Sequence, residues 1–439
     1  MARKMKDSGI EWIGEIPEGW EISKVSYFYE IQLGKMLQPQ KKSETDTEEM
    51  YLCAANVGKN SLSLDTLKTM WFSQTEKHQF DLKEGDLLVV EGGDVASCAI
   101  IETPVQNLYF QNALHRVRPL HNESVAFLRY WLMTAKSYGY IDLICNKATI
   151  AHFSKEKFIA LPIPVIPQDI QSKIVSYLDF ECKQIDDLLS KTRSSIEKYK
   201  KLKQAVITQA VTKGVRGERE MKPTDFTRWS EIPFDWDLKR VKSCVASISS
   251  GLSAVTDDAN SEESGKFVLR TSAVSSGFFV PTEVKPVLKS AVNRLICPVE
   301  PNTLIVSRMN TASMVGACAY VASNHPNTFL PDKLWKIKFL PSYHTKYMWY
   351  ALNSVPAKSW FSELATGASS SMQNISINDF TSNYLPIPAF SEQKEIANYL
   401  DAKCAEIDGL IAKKEQLVKE LESYKKSLIY EVVTGKREV

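Results

Sequence analysis

Residues 161–179 read LPIPVIPQDIQSKIVSYLD and residues 385–401 read LPIPAFSEQKEIANYLD, so one pattern occurs twice in the chain. In each copy a Pro-Ile-Pro run, which is incompatible with a helix, precedes a long stretch with apolar residues at three- and four-residue intervals. The repeated stretch therefore predicts two long helices, each entered from a stiff, extended segment.

Other segments repeat in the same order. Glu15 corresponds to Glu231 near the start of the copies and Gln171 to Gln393 near their end, so the offset between the copies drifts only slowly. The matching segments, first copy and then second, are 15–20 and 231–236 (E-I-P-x-x-W in both), 87–89 and 304–306, and 107–120 and 327–340. A fixed order with a slowly drifting offset predicts that the chain is a duplicated module.

Each module contains a globular part and a helical part. Short β-branched runs such as LLVV (87–90) and TLIV (303–306) lie between Gly, Asn and Ser turns and indicate strands among helical stretches. The expected fold class is α+β. The expected segments are a first globular domain at 1–167, a first long helix at 168–213, a linker at 214–230, a second globular domain at 231–390 and a second long helix at 391–439.

A strict 3.5-residue repeat fits apolar residues in both helices and predicts a coiled coil. The interface residues that it predicts are Ile174, Leu178, Ile185, Leu188, Tyr199, Leu202, Ile396, Leu400, Ile407, Leu410, Leu417, Leu421, Tyr424 and Leu428. Because only a short linker follows the first helix, we favour an antiparallel pair, which gives the chain a pseudo-two-fold axis. The alternatives are a parallel pair and two helices that each pack on their own domain.

The composition is that of a folded protein, with 44% apolar and 24% charged residues. No stretch approaches the ~20 apolar residues that cross a bilayer, and the N-terminus lacks the apolar core of a signal peptide. We therefore expect a cytoplasmic protein without a membrane segment. The eight cysteines are scattered without a CxxC pair, which argues against a structural zinc site and predicts reduced thiols.

Motifs of nucleotide and nucleophile chemistry are missing from the sequence. It has no GxxxxGK[ST] phosphate loop, no GxGxxG, no GxSxG, no HExxH and no Asp/Asn-Pro-Pro-aromatic motif of an amino-methyltransferase. We therefore expect a chain that is not itself an enzyme.

Over nearly its full length the chain resembles the specificity (S) subunit of type I restriction-modification systems. The resemblance is carried by the two E-I-P-x-x-W motifs, by the segments 161–171 and 385–393, and by the helix ends YKKLKQAVITQAVTKG (199–214) and YKKSLIYEVVTGK (424–436). Pro167-Gln-Asp169 departs from the Ser-Glu-Gln at 391–393, which blurs the start of the first helix.

That resemblance implies two target recognition domains, each reading one half of a bipartite, asymmetric site in double-stranded DNA. It implies that the helices space these domains and bind two methyltransferase (M) subunits, which methylate adenine N6 with S-adenosylmethionine. It also implies restriction (R) subunits that use ATP and Mg²⁺ to cleave unmodified DNA, and no cofactor and no metal in this chain.

Candidate DNA-reading loops are those in which the two copies diverge. In the first pair, EGGDVAS (91–97) corresponds to the longer SRMNTASMVG (307–316). In the second pair, NKATIAHFS (146–154) corresponds to TGASSSMQNIS (366–376). Arginine pairs well with guanine and amide side chains with adenine in the major groove. The candidate DNA-binding residues are Arg308, Asn310, Gln373, Asn374, Lys147 and His152, followed by His115 and Lys333.

The net charge is only +2, whereas a protein that holds DNA alone usually carries a larger basic excess. If this chain binds DNA, we expect another subunit to supply much of the phosphate contact. Two further hypotheses remain open at this point: a coiled-coil scaffold whose globular domains bind protein, and an enzyme of unrecognised type.

Overall fold

The computed structural model describes residues 3–58, 61–145, 151–253, 263–369 and 372–439. The chain divides into two compact units. The N-terminal unit comprises Met1–Arg193 and Gln416–Val439, and the C-terminal unit comprises Ser194–Glu415. Each unit thus holds one globular domain and one half of each long helix. The sequence-based boundaries, which treat each helix as a segment of its own, stay a prediction.

The N-terminal unit is built on a four-stranded antiparallel sheet. Its strands lie in the order Tyr29–Leu33, Leu114–Pro119, Leu87–Val90 and Cys98–Ile100. Leu87 and Val89 belong to one apolar cluster and Leu88 and Val90 to another, because alternate side chains of a strand point to opposite faces. A three-stranded sheet of Lys68–Phe72, Thr47–Leu52 and Leu108–Phe110 covers the second of these clusters.

Helices and short strand pairs complete this unit. Its shorter helices are Gln74–Gln79, Val125–Ser137, Tyr140–Ile144 and Lys155–Ile159. Its strand pairs are Met5–Asp7 with Glu15–Pro17, and Glu21–Lys24 with Pro162–Val165. The Pro-Ile-Pro run therefore forms an edge strand, where proline is tolerated, directly before the first long helix.

The C-terminal unit repeats the four-stranded sheet with the same topology. Its strands lie in the order Val245–Ser250, Leu334–Phe339, Thr303–Ser307 and Cys318–Val321. Its other strands are Glu263–Leu269, Val284–Leu288, Pro298–Val299 and His325–Phe329 in one sheet, Met309–Asn310, Thr366–Ser369 and Met372–Asn374 in another, and the pairs Met221–Pro223 with Glu231–Pro233 and Asp237–Arg240 with Tyr384–Ile387. Its shorter helices are Val241–Cys244, Ser272–Ser275, Thr345–Leu352, Val355–Leu364 and Ile377–Ser382. The predicted α+β duplication is confirmed.

Two long helices run through the fold, α1 (Gln168–Lys213) and α2 (Phe390–Val433). In the N-terminal unit Asp186 pairs with Lys425 at 2.6 Å, and Arg193 pairs with Glu422. Because the partner number falls as the α1 number rises, the helices pack antiparallel there. No helix in the described part of the chain is both long enough and apolar enough to cross a membrane.

The same ion pair recurs in the C-terminal unit, where Lys203 bonds Asp408 at 2.6 and 2.8 Å. In the repeat, Lys203 is the counterpart of Lys425 and Asp408 is the counterpart of Asp186, so the two helices have exchanged their roles. The antiparallel packing predicted from the sequence is therefore present in both units.

The side chains that α1 packs inward form one stripe. The stripe consists of positions 174, 178, 182, 185, 189, 192, 196, 199, 203, 207 and 210, and its counterparts in α2 are 396, 400, 404, 407, 411, 414, 418, 421, 425, 429 and 432; each of these residues is buried or half-buried. Ten steps lead from 174 to 210, which gives the 3.6-residue period of a straight α-helix and not the 3.5-residue period of a strict heptad.

This difference corrects part of the predicted coiled-coil interface. After residues 178 and 400, several positions of the strict heptad precede the nearest stripe position by one residue, as 188 precedes 189. Five predicted residues therefore lie beside the stripe and are exposed: Leu188, Leu202, Leu410, Leu417 and Tyr424. The other predicted residues are buried or half-buried: Ile174, Leu178, Ile185, Tyr199, Ile396, Leu400, Ile407, Leu421 and Leu428.

The duplicated E-I-P-x-x-W motif closes the C-terminal end of a long helix in each unit. Gly435, just after α2, has φ +74°, and a Cβ there would lie 2.5 Å from Pro17 and 2.8 Å from Trp20. Gly214, just after α1, has φ +78° and lies against Trp236. Glycine adopts this left-handed conformation without strain and lets the tryptophan ring approach the turn.

Adjacent leucines on α1 test the phase of the buried stripe. Leu189 is 5% exposed and Leu188 is 44% exposed. We expect Leu189→Ala to lower the free energy of unfolding by ~2–5 kcal/mol, because it leaves a cavity. Leu188→Ala should change it by less than ~0.5 kcal/mol. Urea denaturation followed by circular dichroism measures both changes. A larger loss of stability in Leu188→Ala than in Leu189→Ala would contradict the observed stripe and support the strict heptad.

Candidate nucleic-acid interface

Four loops of the N-terminal unit meet at one end of its central sheet, and backbone hydrogen bonds join them. They are the segments 34–46, 91–97, 111–113 and 151–154, which we call the N-terminal row. The bonds that join them are Lys35 N to Phe110 O (3.1 Å), Asn112 N to Lys35 O (2.9 Å), Glu91 N to Ala113 O (2.9 Å) and Phe153 N to Glu91 O (2.8 Å). The loops thus form one continuous edge.

The C-terminal unit carries an equivalent edge, the C-terminal row, made of segments 251–253, 307–316, 331–333 and 373–376. Gly251 N donates to Pro331 O at 3.2 Å, Arg308 N to Lys333 O at 3.2 Å, and Ile375 N to Arg308 O at 3.0 Å. In each unit, the two divergent loops named from the sequence are therefore hydrogen-bonded neighbours. Segment 91–97 lies beside 151–154, and segment 307–316 lies beside 373–376.

A glycine starts each row. A Cβ at Gly34 would lie 2.3 Å from the carbonyl oxygen of Gln111, and a Cβ at Gly251 would lie 1.6 Å from that of Leu330. No larger residue fits such an approach of two backbones. Sequence reasoning missed both glycines, although the same numerical offset that relates Leu87 to Leu304 also relates Gly34 to Gly251.

Four of the predicted DNA-binding residues form one cluster in the C-terminal row. Met309 pairs with Asn374 and Asn310 with Gln373 in a short antiparallel ladder. The remaining predicted residue of this cluster, Arg308, lies with its Nε 3.4 Å from Asn374 Oδ1. The side chains of Arg308, Asn310, Gln373 and Asn374 are all half-buried.

Asn310 is held in place, because its Nδ2 donates to Ser275 Oγ at 2.9 Å and its Oδ1 accepts from Thr311 N at 2.9 Å. The cluster therefore offers one guanidinium and three amides on a short, paired strand edge. These are the groups that hydrogen-bond guanine and adenine edges.

The N-terminal row offers different chemistry at the same place. The backbone of His152 bridges that of Gly92, and the His152 Nδ1 lies 3.2 Å from a carboxylate oxygen of Glu91. Glu91 occupies the position that Arg308 holds in the other row. The backbone carbonyl of Glu91 accepts from Phe153 N, and that of Arg308 accepts from Ile375 N in the equivalent place. A carboxylate accepts from the amino group of cytosine, which an arginine does not. Glu91 was missed as a candidate, although its loop was singled out by divergence.

Three other candidates have different outcomes. Lys147 lies outside the residues that the structure describes. Lys333 is exposed within the C-terminal row. His115 is fully buried and its Nε2–H donates to the carbonyl of Phe153 at 2.7 Å, so its proposed role in touching DNA is wrong. A histidine inside the sheet instead supports the loop that carries His152.

The cysteines are free thiols. Burial raises the pKa of Cys98 and of its counterpart Cys318 to about 12, which keeps both protonated. Within the described ranges no group of three His, Cys, Asp or Glu side chains is arranged to hold a metal ion.

Comparison with known proteins gives one consistent result. The family model described as "Type I restriction modification DNA specificity domain" matches residues 17–198. The type I restriction enzyme MjaVIII specificity subunit of Methanocaldococcus jannaschii is 22% identical, and the match covers 96% of this chain and 93% of that protein. Another relative from the same organism is 23% identical, with 97% and 95% covered.

Two solved structures share the fold. A chain from a study of complex assembly and conformational transition of the type I R-M system superposes with a TM-score of 0.71 at 13% identity. The match covers 95% of this chain and 98% of that one. The HsdS subunit from Thermoanaerobacter tengcongensis has a TM-score of 0.50 at 13% identity, with 96% and 98% covered.

Burial of His115 predicts a pH dependence of stability. Burial lowers the pKa of His115, although the bond to Phe153 opposes this shift. As the pH falls below ~6.5 the unfolded chain takes up the proton first, so stability present above this pH is lost. In His115→Gln, which keeps a donor for the carbonyl, the free energy of unfolding should fall less steeply between pH 6.5 and 5.5. The two slopes should differ by no more than ~1.4 kcal/mol per pH unit, and equal slopes would contradict the prediction.

Proposed function

Because the chain belongs to the family of type I restriction-modification specificity subunits, we propose that it reads an asymmetric, bipartite DNA site, with one half-site for each globular domain. The observation that carries this proposal is the pair of loop rows. Two equivalent backbone hydrogen bonds join the loops in both rows, through the N–H and the carbonyl of Glu91 in one and of Arg308 in the other, whereas the side chains differ. A duplicated frame with different side chains suits two half-sites of different sequence.

Each row has the chemistry for direct readout of base edges. In this proposal Arg308 donates to guanine, and the amides of Asn310, Gln373 and Asn374 serve adenine, whose major-groove edge needs one donor and one acceptor. In the N-terminal row Glu91 is suited to accept from cytosine and His152 to donate. We therefore propose different letters for the two half-sites.

The chain itself does no chemistry in this proposal. Two M subunits bind S-adenosylmethionine and methylate adenine N6, and R subunits bind ATP and Mg²⁺ and cleave unmodified DNA. The complex works on DNA in the cytoplasm. With a net charge of +2, this chain neutralises few phosphates, so the partner subunits contribute much of the contact to the DNA backbone.

The exposed residues beside the helix stripe are the proposed contact with the M subunits. Leu188, Leu202, Leu410 and Tyr424 follow stripe positions 185, 199, 407 and 421 by three residues each, so they flank the stripe on one side. In the repeat, Leu188 is the counterpart of Leu410 and Leu202 is the counterpart of Tyr424, so both units carry an equivalent exposed apolar pair. A site present once in each unit suits a partner present twice.

A coiled-coil scaffold whose globular domains bind protein is the second candidate, and the small net charge favours it. Methylation mapping distinguishes the two, because a scaffold gives no sequence-dependent methylation. The mapping uses the chain co-expressed with a methyltransferase subunit that co-purifies with it.

Mapping should give one bipartite motif for the unaltered chain. With Arg308→Ala, other bases should be accepted at one position of a single half-site. Losing a bidentate base contact costs ~1–3 kcal/mol, which is a roughly 5- to 150-fold loss of discrimination. The control is Arg240→Ala, because Arg240 precedes the end of strand Val245–Ser250 that is remote from the row. If the unaltered chain gives no bipartite motif, the proposed function fails. If Arg308→Ala changes the bases accepted in both half-sites, the half-sites are not read by separate domains.

Single charges on the helix flank should remove the M subunits one at a time. In native mass spectrometry we expect two M subunits on the unaltered chain, one on Leu188→Lys, one on Leu410→Lys and none on the double variant. Phe180→Lys is the control, because Phe180 is 62% exposed on α1 and lies two residues from stripe positions 178 and 182. Two M subunits on the double variant would exclude this surface.

A further inference from the structure

Two large apolar side chains protrude from the first loop of the N-terminal row. Met36 is 76% exposed and Leu37 is 54% exposed, whereas Lys35 before them and Gln38 after them are only 5% and 7% exposed. The usual distribution is reversed here, since lysine and glutamine are commonly on the surface and methionine and leucine inside. We call Met36 and Leu37 the apolar tip.

A network of buried polar groups holds the base of the tip. Lys35 Nζ donates to Gln38 Oε1 at 2.8 Å and also bonds Glu76, and Gln38 Nε2 donates to Asp46 Oδ2 at 3.2 Å. Asp46 in turn accepts from the backbone N of Lys42 at 2.9 Å and of Ser43 at 3.2 Å.

Those bonds tie both ends of the loop to one another. A buried ammonium group is costly unless it is fully paired, so the network is kept only in one loop conformation. The hydrogen bonds from Lys42 and Ser43 lower the pKa of Asp46, even though burial raises it, which keeps the carboxylate charged. The tip is therefore presented in a fixed conformation and is not the free end of a mobile loop.

The tip lies directly beside the proposed DNA-reading edge. Lys35 N donates to Phe110 O at 3.1 Å, and Lys35 O accepts from Asn112 N at 2.9 Å, so the tip begins where the row begins. Exposed Lys41 and Lys42 follow in the same loop. Lys41 pairs with Glu44 at 2.9 Å, and Lys42 has no ion pair with any residue in the described ranges.

A rigid apolar tip next to exposed lysines matches a known way of contacting DNA. Leucine and methionine side chains are inserted between base pairs as wedges, while nearby cations hold the phosphates. A protein partner would be a different occupant. The continuity of the tip with the N-terminal row favours DNA.

We infer that Met36 and Leu37 form a wedge that enters the base stack of the half-site read by the N-terminal domain and unstacks one base step. The inference rests on the proposed function, because it needs DNA on the N-terminal row. It adds a residue pair that selects sequence through the deformability of a step and not through hydrogen bonds.

The test uses the complex with its M subunits and a duplex that carries the mapped motif. 2-Aminopurine, placed in turn at each position of the N-terminal half-site, reports unstacking as a rise in fluorescence. We expect a rise at one step with the unaltered chain and none with Met36→Ser/Leu37→Ser. That variant should bind the duplex about tenfold more weakly, because two apolar side chains lose their buried contact.

Tyr27→Ser is the matched control. Tyr27 is 66% exposed in the same unit but lies before the end of strand Tyr29–Leu33 that is remote from the row. It should leave both the fluorescence and the affinity unchanged. Thermal melting checks the fold of both variants, whose altered side chains are exposed.

The outcomes separate this inference from the proposed function. If the unaltered chain directs methylation to a bipartite motif but no position of the N-terminal half-site brightens, the wedge is excluded, even if the variant binds weakly. Unchanged affinity of Met36→Ser/Leu37→Ser also excludes it. If no motif is methylated at all, the proposed function fails and the wedge fails with it.

Discussion

Burial of one stripe on each long helix determines the arrangement of everything else in both units. Half of α1 and half of α2 pack antiparallel in each unit, and the globular domain covers them with its own apolar cluster. Lys203 lies within the stripe and is only 8% exposed, and its partner Asp408 comes from the other helix. A slip of one turn would leave this ammonium buried without its carboxylate, which costs far more than the ion pair itself contributes. The pair therefore fixes the register.

Much of this architecture could be predicted from the sequence, because a duplication repeats its order of segments whatever the core packing. Which residues of each long helix pack inward could not be predicted. Heptad and straight-helix periods differ by only about 0.1 residue per turn, and the slip becomes visible after two turns. Leu188 and Leu189 are both leucine, so composition does not distinguish the residue that packs inward from its exposed neighbour. Only the domain that covers Leu189 makes that distinction.

The candidate site divides in a similar way. Divergence between the copies identified the loops, and the structure brings Arg308, Asn310, Gln373 and Asn374 together on one short ladder. Position on the surface was less predictable. His115 and Lys35 are polar residues that lie inside, whereas Met36 and Leu37 are apolar residues that lie outside. These inversions depend on long-range partners such as Phe153 and Glu76, which no local pattern in the sequence indicates.

The loop rows show how one backbone frame can carry two different sets of side chains. Their joining bonds run from backbone to backbone, so they do not depend on which side chains the loops carry. Glu91 and Arg308 can therefore occupy the same place in the two rows without disturbing either one. The exceptions are Gly34 and Gly251, where any side chain would collide with the facing carbonyl. Substitutions of the other loop side chains therefore leave the backbone frame intact as long as these two glycines and the stripe are kept. In the proposed function, the side chains that differ between the two rows are the ones that distinguish the two half-sites.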